Sequence, residues 1–385
     1  MKKCLFFTTW FLYMFLSPFY LFPSGTPQIA DWVVCFLSFL IFLDIILSSK
    51  IQIPSGNRMV LIFFLMFTIY SFIINIYWSV ALDNLHILIN SLYYIFNLVV
   101  IFDILYLYSL YKNYFFNFFL ITLILTVIAQ FIFIYFEPID NARGVGFFNN
   151  PNQLGYYALL TTSMILLNDH YIGKYKLLSM LGVSASIYLS LISLSKASMV
   201  GIFFLIILHT LNNIRALLII ICTSVITYVL IAGIDYENYL FRYTVVSSAF
   251  GRIMMIGHDM DDSWEGRGYD RIILYNDLIF LGAGEGAFER YDTSMQGELH
   301  SSWGTLIFCY GIPGSLLFGA ALLRVCMMCG FRVCLYLVPA LAYGLTHQGL
   351  RFTLFWILLS FVLLLKNESL KNSGVINSIN VRTNH

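Results

Sequence analysis

Apolar residues run along this chain in long unbroken stretches, without the regular polar positions that give a water-soluble helix or strand its wet face. WVVCFLSFLIFLDIIL and YFFNFFLITLILTVIAQFIFIYF are two examples. A helix needs about 20 mostly apolar residues to cross the hydrocarbon core of a bilayer. Cutting the chain at its polar and turn-forming breaks yields twelve segments, some of them short, near 5–22, 32–48, 59–76, 85–108, 114–136, 153–168, 177–193, 197–211, 216–233, 302–323, 333–346 and 351–365. The pattern predicts an all-α polytopic membrane protein. It has about nine spans in a bundle over 1–233, a long connection carrying short helices over 234–301, about three spans over 302–366, and a tail over 367–385.

Composition agrees with the pattern: the residues AVILMFWYC make up 60% of the 385 positions and charged residues 11%, against roughly 45–50% and 25% in an ordinary soluble chain. A net charge of +1 leaves no basic footprint for nucleic acid. The first 22 residues have the basic front and apolar run of a signal peptide but no A-x-A-like cleavage site, so they read as a retained first span. All seven cysteines fall in apolar runs or at their ends, which implies no disulfide framework. Cys326 and Cys329 form a C-x-x-C, without the second pair or nearby histidines of a zinc site.

Charge also orients the chain. With the N-terminus in the cytoplasm, the inner connections and termini hold thirteen of the 21 basic residues, and the outer turns PSGTPQIAD and YWSVALDN hold none, as the positive-inside rule requires. Both ends are then cytoplasmic. The other eight basic residues lie outside: Arg242, Arg252, Arg267, Arg271 and Arg290 in the long connection, and Arg143, Lys196 and Arg351 in short ones, against the bias.

Four outer segments carry the unusual residues. EPIDNARGVGFFNNPNQLGYY holds Arg143 in a glycine-rich turn, then Asn149 and Asn152, the latter placed to cap the sixth span. A guanidinium there offers a fork to an anionic group. SLSKAS places Lys196 between two short helices, where snorkelling to the interface is its ordinary role. EGRGYDRIILYNDLIFLGAGEGAFERY reads as an interfacial helix followed by a tight turn, with Arg267 and Arg271 four apart on one helical face and Arg290 beyond. GELHSSWG and GLTHQGLR add His300, His347 and Arg351 on the same side. A histidine at a helix mouth is commonly an interfacial anchor, yet His300 is also able to act as acid or base near neutral pH. Cations and a histidine together suit glycosyl transfer from a lipid pyrophosphate: the cations hold the leaving group's charge and the histidine takes the acceptor's proton. That chemistry requires no metal or other cofactor. The only acidic run, Asp259, Asp261 and Asp262, is a weak cation site.

In the order FFNNPNQLGYYALL, SLSKASMVGI, R-x3-Y with GAGEGAF, and LHSSWGTLIFCYGIPGSLLF, residues 140–320 resemble the O-antigen polymerase and ligase superfamily. The resemblance implies a multi-span glycosyltransferase acting on undecaprenyl-pyrophosphate-linked oligosaccharide at the outer face of the bacterial inner membrane, partnered by membrane lipid and a chain-length regulator protein. It also implies catalytic roles for Arg143, for Arg267 or Arg271, and for His300; the same outer segments offer Lys196, Asn149, Asn152, Arg290, His347 and Arg351 as the expected substrate contacts. The family's serine-arginine pair is here Ser195-Lys196, which supplies charge without the fork. A polymerase is the expectation; a ligase transferring glycan to lipid A-core and a transporter or flippase of the same lipid-linked glycan are the alternatives.

Overall fold

The computed structural model describes residues 2–23, 25–48, 53, 55–136, 143–211, 218, 222, 248–257, 263–293 and 297–372. All but two residues of the expected span at 216–233, the 234–247 stretch, and the acidic run at Asp259, Asp261 and Asp262 lie outside them. Among the described residues there is no strand. The helices are α1 (Lys2–Leu16), α2 (Ile29–Ser48), α3 (Ser55–Ala81), α4 (His86–Tyr111), α5 (Asn113–Phe136), α6 (Pro151–Tyr171), α7 (Lys176–Ser193), α8 (Lys196–Thr210), α9 (Asp270–Leu274), α10 (Ser302–Cys309), α11 (Gly311–Cys329), α12 (Phe331–Tyr343) and α13 (Thr353–Asn372). Of these described helices, six are long and apolar enough to cross a membrane by length and composition: α2, α3, α4, α5, α7 and α11. The protein is an α-helical, polytopic membrane protein.

Two helices form the centre. In α6 every residue from Leu154 to Asn168 is buried, and in α13 every residue from Leu354 to Leu365 is. A helix buried all round needs no charged face, and neither buried stretch carries a charged residue, although α6 buries Thr161, Thr162, Ser163 and Asn168. The packing pairs are α6 with α7 and α8, α3 with α4 and α11, α1 with α2, and α12 with α8, while α13 lies against α4 and α6. Trp356 of α13 meets Phe64 of α3 and Phe318 of α11 edge-on, at ring distances of 5.1 and 5.9 Å.

Bonds between connections distant in sequence mark two ends of the bundle. At one end Lys2 pairs with Asp44, which also accepts from the Tyr106 hydroxyl at 2.8 Å. At the other end Tyr93 at the start of α4 donates to Gly25 O at 2.6 Å, Asn149 to Phe22 O at 3.0 Å and Trp78 to Gly282 O at 2.8 Å. All four segments that carry unusual residues gather at this second end.

Three local expectations change. The apolar run 302–323 is one segment in sequence but two helices, α10 and α11, broken at Tyr310 and Gly311, where Gly311 has φ +63. Ala283 N and Gly284 N fill the gap by donating to Phe308 O and Cys309 O at 2.8 and 2.9 Å. Residues 265–291 do not form one helix. They comprise α9, a 3₁₀ turn at Asn276–Ile279 and another at Phe288–Arg290. Gly268, at φ +75, separates Arg267 from α9, so Arg267 and Arg271 share no helical face. The cap of α6 is Asn150 rather than Asn152: its side chain accepts from Asn152 N at 2.7 Å, with Pro151 next, where a missing N–H costs nothing.

Candidate functional site

A cavity of about 800 Å³ opens at the end of the bundle where the four segments meet. Arg143, Lys196, Arg252, Arg267 and Arg351 line it, with Glu298 as the one lining carboxylate among the described residues, and His300 and His347 at its wall. Five cations against one carboxylate make it an anion-attracting site.

Arg143, Lys196 and Arg267 are each braced. Arg143 Nε donates to Ser193 O at 2.9 Å and its Nη2 to Asn152 Oδ1 at 2.8 Å. The loop carrying it is pinned to the α7–α8 turn by Gly144 N donating to Ile192 O at 3.0 Å. Lys196 opens α8 and donates to Met255 O at 3.2 Å, tying the helix to the 248–257 segment that carries Arg252. Arg267 donates to Thr346 O, and its own carbonyl accepts from His300 N at 3.2 Å. The loop before α9, the segment before α10 and the α12–α13 connection are thereby held together.

His300 sits at the mouth, exposed, immediately before Ser301, which caps α10 by accepting from Gly304 N at 3.0 Å. Leu299 is fully buried while Glu298 and His300 both line the cavity, so the segment presents alternate side chains to the site. His347 stacks on Tyr343 at 4.6 Å and Tyr343 on Tyr156 at 4.2 Å, an aromatic wall beside the cations. Tyr343 also donates to Asn152 O at 2.8 Å.

The opposite part of the cavity is apolar. Val200, Gly201 and Phe204 of α8 face Val338, Pro339 and Ala342 of α12, and the outward surfaces of Val200, Phe204 and Val338 are exposed on the flank of the bundle. The same space thus offers cations at one end and a trough of hydrocarbon along two helices.

Seven of the sequence-derived residues, Arg143, Asn152, Lys196, Arg267, His300, His347 and Arg351, meet in this cavity. Three do not line it. Arg271 is fully buried beneath the rings of Phe288 and Tyr291, at 5.3 and 5.8 Å, and donates to Thr293 Oγ1 at 3.2 Å. Burial pushes its pKa below the ordinary guanidinium value, against the opposing pull of charges such as Asp270. Arg290 lies between the Trp78 and Tyr291 rings and donates to Ala283 O. Asn149 is bonded to the α1–α2 connection. These side chains brace the loops around the site.

Sequence reasoning passed over Glu285, the acid inside GAGEG. It is fully buried and collects Tyr94 at 2.9 Å and Tyr310 on Oε2, and Gln348 at 3.3 Å and Arg351 on Oε1. The amides of Ala283, Gly284 and Glu285 are spent on Phe308 O, Cys309 O and Asn75 Oδ1, so the turn is no phosphate cradle. Its glycines serve close approach instead: a Cβ on Gly282 would stand 2.5 Å from Cys309 O, at φ +105. Arg351 spans both acids, with Nε and Nη2 on Glu285 Oε1 at 3.0 and 2.8 Å and Nη1 on Glu298 at 2.7 Å. Burial alone would lower its pKa, but Glu285 and Glu298 together raise it well above the usual value, keeping it fully charged. Arg252 and Glu298 complete the set that sequence did not select. Among the described residues no group of histidine, cysteine and acid side chains forms a metal-holding cluster. The chain matches no family model and no curated protein.

Proposed function

We propose that the chain is a membrane glycosyltransferase of the O-antigen polymerase kind, transferring glycan from an undecaprenyl-pyrophosphate carrier to the non-reducing sugar of a second lipid-linked repeat unit. The supporting observation is the cavity, in which a cationic end adjoins an apolar trough that opens on the flank of the bundle. An isoprenoid diphosphate has the same two-part chemistry. Arg143, Lys196 and Arg267 hold the diphosphate, whose charge rises as it leaves. The aromatic wall of Tyr156, Tyr343 and His347 contacts the sugars. The acceptor hydroxyl oxygen attacks the anomeric carbon, the bond from that carbon to the phosphate oxygen breaks, and His300 takes the hydroxyl proton. The carrier departs as its diphosphate.

In this reading twelve spans place both termini in the cytoplasm and the cavity on the outer face of the bacterial inner membrane, with a chain-length regulator protein as partner. Cysteine labelling at Gly297 from the outer side of intact cells tests the sidedness. Deleting the gene and running the cell's lipopolysaccharide on a gel tests the activity. Core carrying one repeat supports a polymerase, whereas bare core with glycan stranded on its carrier replaces that reading with a ligase. An unchanged ladder overturns both.

A further inference from the structure

Arg351 is held by two carboxylates of opposite character. Glu285 is fully buried, fixed by Tyr94, Tyr310 and Gln348, and grips the Nε and Nη2 edge. Its withdrawal would strand a buried charge, which is costly. Glu298 grips Nη1 alone, and its side chain is 40% exposed. An ion pair at such a site contributes little and parts readily. Glu298 also belongs to the short 297–301 segment before α10 and faces the same space as Arg143, Lys196 and Arg267.

We propose that Glu298 is a displaceable counter-anion, occupying on Arg351 the position that a phosphate group of the incoming ligand takes. Resting on the diphosphate reading of the cavity, the swap keeps the Nη1 edge of Arg351 bonded whether the cavity is empty or filled, while Glu285 matches its charge throughout. Release of Glu298 loosens residues 297 and 298, while buried Leu299 and the bond from His300 N to Arg267 O hold the rest of the segment.

The test is calorimetric binding of inorganic pyrophosphate and of farnesyl diphosphate to the full chain in detergent. Glu298→Gln removes the competitor and is expected to tighten both by about threefold to tenfold. The gain must vanish when Glu298→Gln is added to a Glu285→Gln/Arg351→Gln background, which leaves no stranded charge. Persistence of the gain there would mean general electrostatics and overturn the swap, as would unchanged or weaker binding by Glu298→Gln itself. Tighter binding of farnesyl diphosphate than of pyrophosphate assigns the phosphate to a lipid, and equal binding assigns it to a free compound; the swap stands in either case. Should the background fail to fold, hydrogen exchange of residues 297 and 298 in the unaltered protein is expected to quicken at saturating pyrophosphate, and slowed or unchanged exchange overturns the swap. Binding reads the swap without any sugar transfer, so its failure is separate from failure of the proposed activity.

Discussion

Replacing Glu285 by alanine removes the carboxylate on which α4, the α10–α11 junction and the α12–α13 connection converge. Breaking a buried ion pair from one side costs about 3–5 kcal/mol, because the surviving charge is left without its partner. Here Glu298 continues to match part of Arg351, which places the electrostatic loss near the lower limit. The fully buried Tyr94 and Tyr310 hydroxyls lose their acceptor as well, at about 1–3 kcal/mol each if nothing replaces it. Relaxation of both rings absorbs some of that, leaving a total on the order of 4 kcal/mol. With an unfolding entropy of about 2.1 cal/mol/K per residue over 385 residues, melting falls by about 5 °C. The assay is thermal unfolding of the detergent-purified protein, followed by tryptophan fluorescence. A Glu285→Ala/Arg351→Ala double variant should recover part of the loss, since it strands no charge. Melting of Glu285→Ala within about 1 °C of the parent, against the expected fall of about 5 °C, would refute the reasoning. So would a double variant no more stable than the single one.

The remaining predictions concern the division between cavity and scaffold. Arg267→Ala should abolish glycan extension with little change in melting, whereas Arg271→Ala should lower stability through loss of a buried side chain under two rings, by about 2–4 kcal/mol; lipopolysaccharide gels and thermal unfolding separate the two. Arg143→Lys keeps the charge but loses simultaneous bonding to Ser193 O and Asn152 Oδ1, so extension should fall at least about tenfold, measured as ladder length and yield. Gly282→Ala drives a methyl against Cys309 O and should reduce the amount of folded protein in the membrane, read by detergent-solubilised yield.

The apolar runs made most of the helices legible, because a segment without a polar face has few alternatives to burial in protein or lipid. α2, α4, α5 and α7 fall close to the expected spans. The break between α10 and α11 was not legible, since SWGTLIFCYGIPGSLLF is continuous in hydropathy and the interruption depends on the distant Ala283 and Gly284 amides. Residues of the site were readable where the expected topology set a cation against the inside-positive bias, as it did for Arg143, Lys196 and Arg351. Arg267 and Arg271 defeated the same logic: helical spacing paired them, while Gly268 turns one into the cavity and leaves the other beneath Phe288. Glu285 was hidden because an acid among glycines reads as part of a turn. Its tyrosine partners lie 25 and 191 residues away in sequence, so no local pattern joins them to it.

If the cationic cavity with His300 at its mouth performs glycosyl transfer, purified full-length protein in lipid vesicles, supplied with a synthetic undecaprenyl-pyrophosphate-linked repeat unit, should yield glycans of two or more repeats when the products are resolved by length. His300→Ala should yield only the starting unit, with both proteins melting alike. Extension by His300→Ala at the parent rate, or no transfer by the folded parent, would contradict it.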